Sequence, residues 1–149
     1  MAGVDFSKYP ASTFTDIEAN TYYASAVEWA FQAGITKGTG NKRFSPKECI
    51  TRQDMAVMIQ NFAKAYHYTF EKINKSIQFD DYGQISPYAV EAVSDLQQAG
   101  VIDGIPSERD GGRYFAPKAY TTRAEAAKVL TISIMWKMMN QNQKGSSSE

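Results

Sequence analysis

Apolar residues recur at spacings of three and four along much of the chain. Ala26, Val27, Ala30 and Ala33 form one such face, and Met55, Met58, Ile59 and Phe62 a second. Ala89, Ala92, Val93 and Leu96 form a third, and Ala126, Ala127, Leu130 and Ile134 a fourth. That period predicts amphipathic helices, each with one stripe turned to a core. Their boundaries are also written in the sequence. Asn20-Thr21 and Ser86-Pro87 open the first and third, since Asn and Ser cap well and Pro suits the first helical position. Gly34 and Gly100 close them. Thr51 and Thr122 stand at the N-cap of the second and fourth, with Asp54 and Glu125 three residues on in a capping-box spacing.

The helices come in two matching pairs. Phe44, Pro46, Thr51, Arg52 and Asp54 return in the same relative spacing as Phe115, Pro117, Thr122, Arg123 and Glu125. Each copy opens on Phe-x-Asp, at Phe14 to Asp16 and at Phe79 to Asp81. An internal repeat of this kind fixes the architecture before any single residue is interpreted. The expected fold is all-α: two tandem helix-loop-helix repeats packed as one bundle. The first repeat spans 14–63 and the second 79–134, which is longer by an insertion around Pro106 to Gly112. Residues 64–78 join them. Tyr66, Tyr68, Phe70, Ile73 and Ile77 make this connector too apolar for a free linker, so it is expected to pack, with a short extra helix as one form. Residues 135–149 are expected to extend the last helix and end in a disordered tail. Ile132, Ile134, Met135, Trp136, Met138 and Met139 place apolar groups on more than one side of that helix. It is therefore expected to pack on a second chain or on a neighbouring repeat.

Composition narrows the function classes. The 149 residues suit one compact unit, and 43% hydrophobic residues support a packed core. Sixteen basic and sixteen acidic residues cancel, so the basic footprint of a nucleic-acid binder is missing. One cysteine, Cys49, allows no intramolecular disulfide. No apolar run reaches the ~20 residues of a transmembrane helix. The opening residues lack a charged-then-apolar leader, which fits either a cytosolic protein or a mature fragment. Cys49 and His67, each the only one of its type, lie in no metal-ligand spacing, so neither metal nor cofactor is expected. No carboxylate stands out as a buried general acid, and no enzymatic role is expected.

Those motifs resemble the S-layer homology (SLH) family. The first copy supplies Phe14, Asp16, Gly34 to Gly38, Phe44, Pro46 and Ile50 to Asp54; the second supplies Phe79, Asp81, Gly100 to Gly104, Phe115, Pro117 and Thr122 to Glu125. Departures are the two repeats where the family commonly carries three, Gly40 to Phe44 in place of Asp-Gly-x-Phe, and Thr121 in place of Ile or Leu. The resemblance implies a non-catalytic module that holds a protein on the Gram-positive cell surface by binding an anionic, pyruvylated secondary cell-wall polysaccharide. It also implies that Arg52, Arg123, Asp16 and Asp81 line grooves between repeats. The alternative is a protein-interaction module that keeps the fold without the sugar site, with a homo-oligomer or a neighbouring repeat as partner.

Each candidate has a structural reading as well. Arg52 and Arg123 sit in the first turn of a helix, where the dipole disfavours a cation. Either they grip an anion beside free helix N–H groups, or they pair with Asp54, Glu125, Asp16 or Asp81. Asp16 and Asp81 can accept sugar hydroxyls or cap a turn. Trp29 can stack on a sugar ring or border the core.

Overall fold

The computed structural model describes residues 5–108 and 111–121. Arg123, the helix expected from Thr122 and the tail after it lie outside the described residues. Within them the chain is mostly helical: α1 is Ala24–Gln32, α2 is Arg52–Ala65 and α3 is Val90–Gln98. A two-stranded hairpin, β1 (Ile105–Pro106) and β2 (Arg113–Tyr114), pairs antiparallel with Ile105 opposite Tyr114. The chain divides into two compact units. The first comprises Met1–Cys49 and Met58–His67, the second Ile50–Val57 and Tyr68–Glu149. The first turns of α2 thus belong to the second unit, although the sequence motif at its start belongs to the first repeat.

In the first unit, α1 starts at Ala24, later than Asn20-Thr21 suggests. Thr21 instead closes a turn, its amide and hydroxyl both donating to the Glu18 carbonyl. The helix stops where expected. The Gly34 amide donates to Phe31 O and the Ile35 amide to Ala30 O at 2.8 Å, a Schellman stop with Gly34 at φ 73°. Val27, Phe14, Ile17 and Ala24 form the core, with Tyr23, Phe31 and Phe44 against it. The Phe14 ring lies 5.1 Å from Phe31 and 5.5 Å from Phe44. Gly38 is fixed by this ring: a Cβ there would meet Phe14 Cε1 at 2.4 Å. Trp29 is half-buried, its ring facing Phe6, Phe62 and Tyr66 at 6.1–6.5 Å.

The second unit repeats the plan. Ser86 and Pro87 open a 3-10 turn, Pro87–Ala89, that runs into α3, and the Val101 amide closes the stop onto Leu96 O. Phe79, Val93, Leu96, Val101 and Phe115 are buried, and the Phe79 and Phe115 rings lie 5.6 Å apart. The connector differs from expectation. Residues 68–78 form no helix, and Ile73 and Ile77 are exposed. The segment is pinned along α3 instead: the Asn74 amide donates to Gln98 O, the Ile77 amide to Gln97 Oε1, and Gln97 Nε2 to Lys75 O. Side-chain partners replace the helical ladder, and the buried Gln97 amide is satisfied in return.

Candidate functional site

The aspartate of each Phe-x-Asp opening clamps the loop of the later Phe-x-Pro motif. In the second unit, the Phe115 amide donates to Asp81 Oδ1 at 2.8 Å and the Ala116 amide to Asp81 Oδ2 at 2.7 Å. In the first, the Phe44 amide donates to Asp16 Oδ1 at 2.9 Å and the Ser45 amide to Asp16 Oδ2 at 2.8 Å. Ser45 and Ala116 both take a left-handed backbone, φ 58° and 55°, which an L side chain adopts only under constraint. A carboxylate that accepts from two successive amides supplies that constraint. The turn role of Asp16 and Asp81 is therefore occupied in both copies, by the same atoms.

Arg52 adds to the clamp in the second unit. The residue is 9% exposed. Nε donates to Phe115 O at 2.8 Å, and the guanidinium lies 5.4 Å over the Phe115 ring. Burial holds its pKa below the ordinary arginine value, against the Asp81 charge, which raises it. The group stays cationic, as arginine does in proteins. Asp81 and Arg52 thus hold Phe115 from its amide, its carbonyl and its ring face.

The helix N-terminus is not an open anion site. The Arg52 amide donates to Ala119 O and the Gln53 amide to Pro117 O. The Asp54 amide donates to Thr51 Oγ1 at 3.3 Å, and the Met55 amide to Thr51 O. The first three of these bonds engage the leftover amides of Arg52, Gln53 and Asp54, and the fourth begins the helix's own ladder. The capping box forms by half: Asp54, shorter than Glu, accepts from the Thr51 hydroxyl.

A polar network surrounds this start. Gln53 Nε2 donates to Ser86 Oγ and to the Tyr88 hydroxyl at 2.7 Å, while Gln53 Oε1 accepts from the Ser86 amide. The Tyr88 hydroxyl donates to Asp54 Oδ1. Lys118 Nζ donates to Ser86 Oγ at 2.6 Å. Burial of the phenol oxygen, with the Asp54 carboxylate beside it, pushes the Tyr88 pKa up. Tyr88 as a whole remains 60% exposed. Sequence reasoning missed Gln53, Tyr88 and Lys118. The available signal was Ser86-Pro87-Tyr88 at a helix start, where the serine was assigned to capping; its hydroxyl serves the network instead.

The first unit carries a different electrostatic pattern. Arg43 Nε lies 3.6 Å from Asp16 Oδ2, on an exposed side chain. The Phe44 amide lowers the Asp16 pKa most; partial burial opposes, and Ser45 and Arg43 add to the lowering. Glu28 is buried on α1. Burial raises its pKa, but bonds from Gln32 and from the Thr13 amide and hydroxyl outweigh it and leave the value lowered. Both carboxylates therefore bind protons more weakly folded than unfolded. Their contribution is complete above the unfolded values, about pH 4, and is lost as pH falls through the folded values. The urea midpoint is expected to be flat down to about pH 5 and to drop below about pH 4, with Glu28→Gln showing a shallower drop. An equal drop in that variant would exclude Glu28 as a source.

Among the described residues, no group of three or more His, Cys, Asp or Glu could hold a metal ion. No described helix is long and apolar enough to cross a membrane.

Residues 13–56 and 78–127 each match the family described as S-layer homology domain. The chain belongs to this family. Domains of the SLH family are cell-surface anchoring modules. The chain is 36% identical to "Exoglucanase XynX" of Acetivibrio thermocellus over 118 residues, 78% of this chain and 10% of that protein. It is 35% identical to "Amylopullulanase" of Thermoanaerobacterium thermosulfurigenes, across 78% of this chain and 6% of that protein. It is 26% identical to "Surface-layer 125 kDa protein" of Lysinibacillus sphaericus, across 73% of this chain and 8% of that protein. The SLH chain thus spans about a tenth or less of the curated relatives it matches. No solved structure matches it.

Proposed function

We propose that this chain is a non-catalytic anchor that holds a protein on the cell surface by binding an anionic, pyruvylated secondary cell-wall polysaccharide. The observation that carries the reading is the convergence in the second unit of Lys118 and the exposed Tyr88 on one hydrogen-bonded network through Gln53 and Ser86, at the helix start that also carries Arg52. An exposed tyrosine offers a flat apolar face with a polar tip, which suits a sugar ring. A lysine at the rim, with the Arg52 charge carried by the residue next to Gln53, favours a carboxylate substituent. In this reading Asp81 and Asp16 shape the loops that present the site, and Arg123 takes the place of Arg52 in the second copy. Trp29 contributes its ring edge in the first unit. The shared segment also supports a non-catalytic role. It is a small part of relatives whose names denote different activities, so what it shares with them is separate from either activity.

The test is sedimentation with Gram-positive cell-wall sacculi, intact or stripped of secondary polymer by acid extraction. Binding is expected to intact sacculi alone. Tyr88→Ala and Lys118→Ala, both at exposed positions, are each expected to weaken it about tenfold, or ~1.4 kcal/mol, without unfolding the chain. Equal binding to stripped sacculi would refute the polysaccharide as ligand. Unchanged binding in both variants would refute the site.

A further inference from the structure

Among the packed positions at which the two copies differ is Glu28, which is Ser94 in the second copy, and a groove lies beside that serine. In the first copy Glu28 points from α1 to the segment before Phe14. Its Oε2 accepts from the Thr13 amide at 2.6 Å, and its Oε1 from Thr13 Oγ1 at 2.9 Å and Gln32 Nε2 at 2.8 Å. Glu28 is only 3% exposed, and its carboxylate lies between the helix and the segment it accepts from. The second copy keeps the frame. Phe79 stands for Phe14, Val93 for Val27 and Gln98 for Gln32. Gln98 Nε2 reaches back one turn, as Gln32 does, and donates at 3.0 Å. Its acceptor is the hydroxyl of Ser94, which replaces Glu28. Where the first copy holds a carboxylate, the second has a groove of about 350 Å³. Ile77, Phe79, Tyr82 and Val93 wall it, with Ser76 and Ser94 on its polar side.

We propose that this groove is a binding site for a small carboxylate with a short aliphatic body, seated where the Glu28 carboxylate sits in the first copy. Its volume lies at the lower end of small-ligand pockets, roughly 300–1,000 Å³. The apolar walls receive the body of the acid. The Gln78 amide, which corresponds to that of Thr13, and the Ser94 hydroxyl supply donors for its head. Among the described residues that line the groove none is acidic, so none of them repels an anion. The first copy demonstrates the chemistry: there the same frame holds a buried carboxylate in its ionised form, with a lowered pKa. The groove lies apart from the network through Gln53 and Ser86 in its lining residues and does not depend on the polysaccharide reading.

Butyrate is the probe, titrated into the isotope-labelled full chain and followed by amide NMR. Saturable shifts are expected at Gln78, Ser94 and Gln98, and butyramide, neutral but of the same shape, is expected to bind at least tenfold more weakly. Ser94→Glu restores the side chain of the first copy; it is expected to abolish the butyrate shifts and to raise the thermal midpoint. Glu28→Ala is expected to create a second set of saturable shifts at Thr13 and Gln32. Three results would overturn the proposal: no saturation at millimolar butyrate, equal binding of butyramide, or nuclear Overhauser contacts from residues 122–149 onto the Val93 methyls of the free protein. The butyramide comparison needs no variant, so it decides even where Ser94→Glu fails to fold.

Discussion

Arg52→Ala is expected to cost the second unit about 4 kcal/mol, the scale of a buried charge losing its partner. The loss has separable parts. The Phe115 carbonyl, in a residue that is 1% exposed, loses the Nε donor. The Phe115 ring loses the cation over its face. Asp81, itself buried, loses the positive charge that acts on it from the guanidinium. An unmet buried acceptor alone costs about 1–3 kcal/mol. Arg52→Lys keeps the charge but neither the planar stack nor the fixed Nε geometry, so about half of the loss is expected to remain. Hydrogen exchange at the Phe115 amide reads the second unit directly, and a urea titration reads the whole chain. A loss below about 1 kcal/mol in Arg52→Ala would mean that the contacts around Phe115 are incidental. The result also governs how wall binding is interpreted. A variant that unfolds its own site says nothing about ligand contact, which is why Tyr88 and Lys118 carry the binding test.

The periodic apolar faces placed α1, α2 and α3 correctly, because a helix that packs one side on a core leaves that period in the sequence. Gly34 and Gly100 marked the stops of α1 and α3 for a local reason, the left-handed residue each of these stops requires. The repeat itself revealed the family, and the paired Phe-x-Asp and Phe-x-Pro spacings now have a physical meaning: they are the two halves of one clamp. What stayed illegible was long-range. Nothing near Arg52 in the chain announces that the carbonyls of Pro117 and Ala119 take the amides at the start of α2. The inference of free helix donors beside the arginine therefore fails for Arg52, although the arginine's place in the first turn was read correctly. An ion pair across the repeat, the structural reading of that arginine, is the one its setting near Asp81 resembles. The connector misled in the opposite way. Its aromatic and branched residues look like core, yet Ile73 is 62% exposed, because the backbone of this segment, more than its side chains, is what α3 holds. The β1–β2 hairpin lies in the inserted loop, where pairing of so few residues leaves no recognisable alternation.

Asp81→Ala is expected to cost about 3 kcal/mol, and comparison with Asp16→Ala isolates the reason. Both aspartates accept from two successive amides, and both hold a residue in the left-handed region. They differ in surroundings. Asp81 is 8% exposed and faces the buried Arg52, whereas Asp16 is more open and meets an exposed Arg43. Removing Asp81 leaves the buried Phe115 amide without its acceptor, water has little access to replace it, and Arg52 loses its counter-charge. Removing Asp16 frees amides that water reaches more easily. The expected order of destabilisation is therefore Asp81→Ala, then Asp81→Asn, then Asp16→Ala. The asparagine ranks second because its carbonyl still accepts one amide while its NH₂ opposes the other. Urea titration of the three variants checks the order. If Asp16→Ala costs as much as Asp81→Ala, burial and the arginine add nothing to the clamp, and its strength lies wholly in the two amide bonds. If Asp81→Asn matches the parent chain, one acceptor suffices to hold Ala116 in its left-handed turn, and the negative charge of Asp81 is then available for a ligand.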